Sequence, residues 1–170
     1  MIPTIETERL ILRAPSFADF EAYAAFRASE RTKLIGGPYD RAQAFTQLAE
    51  IIGHWTLRGF GRWMVADKAS DEPLGIVGCF CPEGWPEPEI AWSVFERAEG
   101  RGIAYEAAFA ARNYAYETLG WQTAISLVDP ANTRSVALAK RLGCVDGGTF
   151  NHDTYGLMHI WRHPAPEALT

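Results

Sequence analysis

Two short stretches of the chain hold residue types whose spacing could do chemistry. In the first, residues 89–108 read EIAWSVFERAEGRGIAYEAA, a strand pattern entering a turn with Gly100 and Gly102 and passing directly into a helix. Glycine at those two points admits positive φ and leaves no Cβ in the way of an approaching group, while the first amides of the helix point outward unpartnered. Gly100, Arg101, Gly102, Ile103 and Ala104 thus make a candidate anion cradle suited to phosphate oxygens, with Arg101 adding positive charge. A plain glycine turn between strand and helix has the same local pattern. A dinucleotide fingerprint is excluded because the third spaced glycine is missing, and a P-loop because no Gly-Lys-Ser/Thr follows.

The second stretch, residues 128–143, reads VDPANTRSVALAKRLG. A strand meets an Asp-Pro turn and then Asn132, where a helix begins, with Ser135 three residues on, so both side chains crowd one helix end. Asn132 is also an ordinary N-cap by type and place, and Ser135 an ordinary local hydrogen-bond partner.

The elements that must carry these residues follow from periodicity. Alternation over 8–13 predicts a strand, and residues 16–29 predict a helix with Phe17, Phe20 and Ala24 on one face and Ser16 with Asp19 as a capping box. A second helix, ending near Gly59, places Phe45, Leu48, Ile52 and Trp55 at spacings of three and four. Strands follow at 62–67, 73–81 and 89–96, then a long alanine-rich helix stopping at Gly120, a strand, a helix closing at Gly143, and two final strands. The order βααβββαβαββ describes one α+β or α/β unit with a mixed sheet.

Composition bounds the function classes. One core serves 170 residues that are 48% hydrophobic and 22% charged, which leaves no room for a second catalytic domain and no compositional case for disorder. A net charge of −5 argues against a nucleic-acid partner, and the lack of a long apolar run or of a basic, apolar leader argues against a membrane and for a cytoplasmic protein. Cys79, Cys81 and Cys144 cannot all pair and have no matching His or Cys cluster, so they are expected as reduced, buried residues with no metal site.

Together, the two motif segments on this frame resemble the GNAT superfamily of N-acetyltransferases, and the opening TERLILR with the second motif resembles its ribosomal-protein alanine N-acetyltransferase branch. The resemblance covers residues 7–163 as a single domain, with short tails at 1–6 and 164–170. It implies a mostly antiparallel twisted sheet of about seven strands, flanked by four helices, with a splayed central strand pair. It further implies acetyl-CoA as cosubstrate and direct transfer to a primary amine, either a protein N-terminus or a small molecule.

Residue by residue, the family's pyrophosphate loop falls on positions 99–104. Glu99 stands where the family carries Gln or Arg, and a carboxylate there would repel a pyrophosphate, so it is expected to point to solvent with Arg97 or Arg101 compensating. The backbone of Trp92, Ser93 and Val94 would pair with the pantetheine arm and polarise the thioester carbonyl. The tyrosine acid of many members is replaced by Ala139, so Ser135 is the implied proton donor to the coenzyme sulfur, with Asn132 on the pantetheine. Glu89 stands where relatives carry a base acting directly or through water, although it is also one of the acids of PEPE. His152, His159 and Tyr155 are the other candidate bases.

Residues 34–39 and the 81–88 loop with Trp85 are the expected walls of the acceptor site, and the acidic balance suits a cationic amine. Trp55 and Trp92, at periodic positions, are expected in the core. The competing functional readings are an acyl-CoA-binding or sensing module of little activity and a transferase for a longer acyl group. The aromatic-rich terminal strands leave a homodimer open.

Overall fold

In a computed structural model of the chain, which describes residues 1–169, eight strands form one sheet in the order β1-β2-β3-β4-β5-β6-β8-β7. The strands are β1 (Ile5–Glu6), β2 (Leu10–Arg13), β3 (Arg62–Asp67), β4 (Pro73–Phe80), β5 (Glu89–Val94), β6 (Ile125–Val128), β7 (Val145–His152) and β8 (Gly156–Arg162). The α-helices are α1 (Phe20–Ala28), α2 (Arg41–Arg58), α3 (Ile103–Glu117) and α4 (Thr133–Arg141). The strand beyond the expected seven is β1, which pairs with β2 inside the segment read as a tail; the Trp63 indole also donates to the carbonyl of Pro3. No helix among the described residues is long and apolar enough to cross a membrane.

Six of the seven strand pairings are antiparallel; β5 and β6 are parallel, and they match at one position only, Glu89 opposite Ile125. Beyond that point they diverge, which opens the sheet toward the C-terminal ends of both strands. The register sorts side chains by face. Arg62, Met64, Ile76, Phe80, Glu89 and Ser93 share one face, where Met64 and Ile76 pack with Phe20, Tyr23, Phe26, Leu48 and Ile51 of α1 and α2. Trp63, Val65, Val77, Cys79, Ile90 and Trp92 share the other, against α3 and α4.

Helix α3 lies close on that second face because its inner stripe is small: Ala107, Ala108, Ala111 and Ala115 are all fully buried. The expected inner face of α2 is shifted. Ala44, Leu48, Ile51 and Trp55 are buried, whereas Phe45 is 52% and Ile52 38% exposed. Phe17, also expected inside, is 73% exposed. Phe17 stacks on Phe20, and Phe45 meets both rings edge-on, so these aromatics satisfy one another at the surface instead of the core.

The close fit of α3 predicts that Ala111→Leu lowers the unfolding free energy by about 1–3 kcal/mol through overpacking. Urea denaturation should show a lower midpoint with the slope preserved.

Candidate active site

Where β5 leaves β6, both strands have backbone groups that a continuous ladder would satisfy, and side chains take over that task. The Leu127 N–H donates to Glu89 Oε1 at 3.0 Å, and the Ser126 hydroxyl donates to the Ile90 carbonyl at 2.6 Å. Ser126 Oγ then accepts from His163 Nε2 at 2.9 Å, which leaves Nδ1 to accept from the Arg112 guanidinium at 3.4 Å. His163 is held neutral: burial, and then the Arg112 charge, push its pKa down to about 3.

Glu89 sits at the vertex of this gap and is buried. Its second oxygen, Oε2, accepts from the Trp85 indole at 2.6 Å. Burial raises its pKa to about 7, against the opposing pull of the Leu127 and Trp85 hydrogen bonds and of the Arg62 charge. It is therefore a desolvated carboxylate with two fixed donors, not a solvated member of an acidic run.

The gap opens into a cavity of about 1200 Å³ whose walls come from both sides of the sheet. Phe26, Leu34 and Ile35 close one side; Trp92, Ser93, Val94, Gly100, Gly102, Ile103, Ala104, Asn132 and Ser135 line the strand, the loop and the α4 end. Gly100 and Gly102 have φ of +68° and +76°, the left-handed conformation expected of the turn, and Gly102 caps α3 so that its first amides face the cavity end. Arg101 is not in the wall. Its side chain folds back onto the Arg97 carbonyl, while Arg9 holds the Arg101 carbonyl at 2.9 Å.

Asn132 is the N-cap of α4, its Oδ1 accepting from the Ser135 N–H at 3.2 Å. The Trp92 indole donates to Ser135 Oγ, also at 3.2 Å, so the serine proton is free for another acceptor. Trp92 is accordingly a half-buried wall residue, whereas Trp55 belongs to the core as expected.

Glu99 departs from its expected place. Its carboxylate ion-pairs with Arg31 from the turn after α1 and with Arg134 of α4, at 2.6 Å to the latter, so it spans the cavity instead of facing solvent. Arg97, expected to compensate it, pairs with Glu72. The cations lining the cavity are Arg31, Lys33, Arg134 and Arg141, none of them marked by the loop motif.

On the Glu89 side, the two expected walls meet. Trp85 packs edge-on against Phe80, His152 and Tyr155, and a Cβ at Gly36 would come within 2.7 Å of the Tyr155 ring and 3.2 Å of the Tyr39 hydroxyl. His152 Nδ1 is occupied by the Thr154 and Tyr155 amides. His159, opposite Val128, falls on the α3 and α4 face, away from Glu89. Cys79 and Cys144 are buried thiols that burial pushes up, the latter to about 12. Cys81, expected with them in the interior, is only partly buried. Among the described residues no group of three or more His, Cys, Asp or Glu side chains could hold a metal ion.

The acetyltransferase (GNAT) domain family matches residues 9–145. The chain belongs to the GNAT acetyltransferase family. That family uses acetyl-CoA. The crystal structure of the acetyltransferase from Agrobacterium tumefaciens strain C58 is 36% identical, covers 96% of this chain and 95% of that chain, and superposes with a TM-score of 0.88. RimL, a ribosomal-protein α-N-acetyltransferase solved in complex with coenzyme A, is 16% identical, with 95% and 97% of the two chains covered and a TM-score of 0.74, a likeness of fold. An uncharacterized protein of Bacillus subtilis strain 168, YkkB, is 31% identical over 87 residues, 50% of this chain; the match spans about half the length of that relative.

Proposed function

We propose that the chain transfers the acetyl group of acetyl-CoA directly to a primary amine, with Glu89 as the base and Ser135 as the group that meets the departing sulfur. The observation that carries this reading is one cavity that joins the glycine turn at the start of α3 to Trp92, Ser93 and Val94 on the open edge of β5 and to Ser135 on α4. From Ser93 back to Glu89 is four residues, roughly 13 Å of extended strand. A pantetheine arm pairing with the open edge of β5 at Trp92, Ser93 and Val94 would run along it toward the vertex, its phosphates on the amides of positions 100–104.

Proton transfer follows from the two environments. Glu89, with a pKa of about 7, is about half ionised near neutrality and increasingly so above it, and it retains enough basicity to take a proton from the amine, directly or through water. The Ser135 hydroxyl accepts from Trp92 and can donate its own proton toward a thiolate. Asn132 keeps its Oδ1 on the helix cap and has its amide nitrogen for the arm. No covalent enzyme intermediate is involved, since the buried thiols of Cys79 and Cys144 are poor nucleophiles.

One observation favours a second reading, a coenzyme-binding module with little turnover. Glu99 already pairs with both Arg31 and Arg134 and offsets one of their two charges, so phosphate groups must compete with an internal carboxylate for both. Calorimetry with coenzyme A and thiol release with acetyl-CoA and an amine panel separate the two, because binding without release with any amine supports the module.

Three outcomes are expected of the transferase. The rate should rise with pH through about 7 as Glu89 loses its proton, and Glu89→Gln should remove that limb from the pH–rate profile. Ser135→Ala should lower kcat about 10- to 100-fold, the worth of a hydrogen bond to a developing charge, with little change in coenzyme affinity by calorimetry. Gly100→Asp should weaken coenzyme A binding by about tenfold or more through charge, whereas Gly100→Asn, which tolerates the same left-handed backbone, should largely keep it.

A further inference from the structure

Two arginines on the Glu89 side of the sheet lack the carboxylate partners that half-buried Arg13, Arg31 and Arg162 have, and lack the buried polar network that serves Arg112. Arg62 is half-buried, with its Nε shut off from solvent and unpartnered, and its side chain makes no hydrogen bond or ion pair among the described residues. Its guanidinium instead stacks 4.0 Å from the ring centre of Phe80, the residue directly opposite Glu89 in the β4–β5 register. Arg27 is only 3% exposed. Its Nε is also buried and unpartnered, its Nη2 reaches only the Ile35 carbonyl, and its guanidinium lies 4.1 Å from the Tyr39 ring centre.

The two guanidiniums lie within electrostatic reach of each other, and both act on Tyr23 and Tyr155. Glu89 attracts Arg62 but spends both oxygens on Trp85 and Leu127, and exposed Glu50 pairs with neither arginine. The two guanidiniums stack on Phe80 and Tyr39, two ends of one ring cluster that runs through Trp85 and Tyr155, and Glu89 offsets only one of their charges. Keeping the other without an ion-pair partner is costly, and an anion bound beside them would relieve it. With Glu89 ionised, two guanidiniums leave one net positive charge, which a monoanion balances. A carboxylate fits the guanidinium fork through two parallel hydrogen bonds.

We propose that the acceptor is an amine that also carries a carboxylate, an amino acid in the broad sense, whose acid group is bound by Arg62 with Arg27 while its amine faces Glu89. This rests on the acetyl-transfer reading and narrows it, favouring a small amino acid over the N-terminus of a long peptide, which has no carboxylate at that distance. It also replaces the expectation, drawn from the overall acidic balance, that the acceptor is selected as a cation alone.

The test compares each of a panel of L-amino acids with its own C-terminal amide, with the corresponding aminoalkyl phosphonate, and with short peptides. Two readouts are used: thiol release from acetyl-CoA, and the shift in Tm of the coenzyme A-bound protein on adding each amine. At least one amino acid should exceed its amide by about 30-fold or more in kcat/KM, mainly through KM, and should raise Tm where the amide does not. Arg62→Gln should collapse that preference toward unity, its coenzyme affinity by calorimetry reporting that the variant is folded.

Equal behaviour of acid and amide in both readouts overturns the inference, as does a preference that survives in Arg62→Gln or a stronger response to the phosphonate. The first comparison needs no variant, so a misfolded Arg62→Gln does not rescue the idea. Acid-selective binding without thiol release keeps the anion site and overturns the transferase reading. Thiol release with no acid selectivity does the reverse.

Discussion

The central cavity depends on the parting of β5 and β6 after a single matched pair, Glu89 and Ile125. A sheet cannot open in its interior unless the backbone groups thereby freed are met. Here Glu89 receives the Leu127 amide, and Ser126 reaches across to the Ile90 carbonyl with neutral His163 and Arg112 behind it. Arg112 also donates to the Leu142 carbonyl at the end of α4, so the same chain of side chains ties the strand gap to the helix that presents Ser135. The residue proposed as base is thus also one of the groups that hold the gap open, which explains why it is buried and why its affinity for a proton is raised.

A second constraint is electrostatic. The chain carries a net charge of −5, yet cations gather at the cavity and beside Glu89: Arg31 and Arg134 line the cavity on the glycine-turn side, and Arg27 and Arg62 lie outside its lining on the Glu89 side of the sheet. The overall field would repel an anionic cosubstrate, so attraction has to be local, through backbone amides and these guanidiniums. The first pair is met internally by Glu99, whereas the second has no ion-pair partner among the described residues. The difference is one of contact: the first pair already holds a carboxylate by direct ion pairs, whereas the second makes none.

Much of the frame was legible from the chain alone. Alternation marks β2, short β-branched or aromatic runs between turn signals mark the central strands, and seven of the eight strands are legible; periodicity, capping and glycine signals mark the four α-helices. Gly100 and Gly102 were read as left-handed and are so. Two-residue β1 was not legible because two residues carry no period. Periodicity places Phe17 and Phe45 on inward faces, but these rings pack on each other and on Phe20 at the surface, where aromatic contact substitutes for core burial. For Glu99 the family position and the charge of a pyrophosphate imply a solvent-facing carboxylate, but its partners come from α4 and from the turn after α1, which the linear order does not bring together.

What the sequence by itself determined is local: where strands and helices run, where glycine lets the backbone turn, and which two motifs sit at the ends of strands. Those features depend on residues a few positions apart, so a linear reading contains them. Only the tertiary structure decided that Glu89 is a desolvated carboxylate with two fixed donors, that Trp92 serves Ser135, and that Arg27 and Arg62 stack on aromatic rings with no ion pair among the described residues. Each of these depends on desolvation and on neighbours brought from distant parts of the chain, because the charge state of a group is set by everything that surrounds it in space.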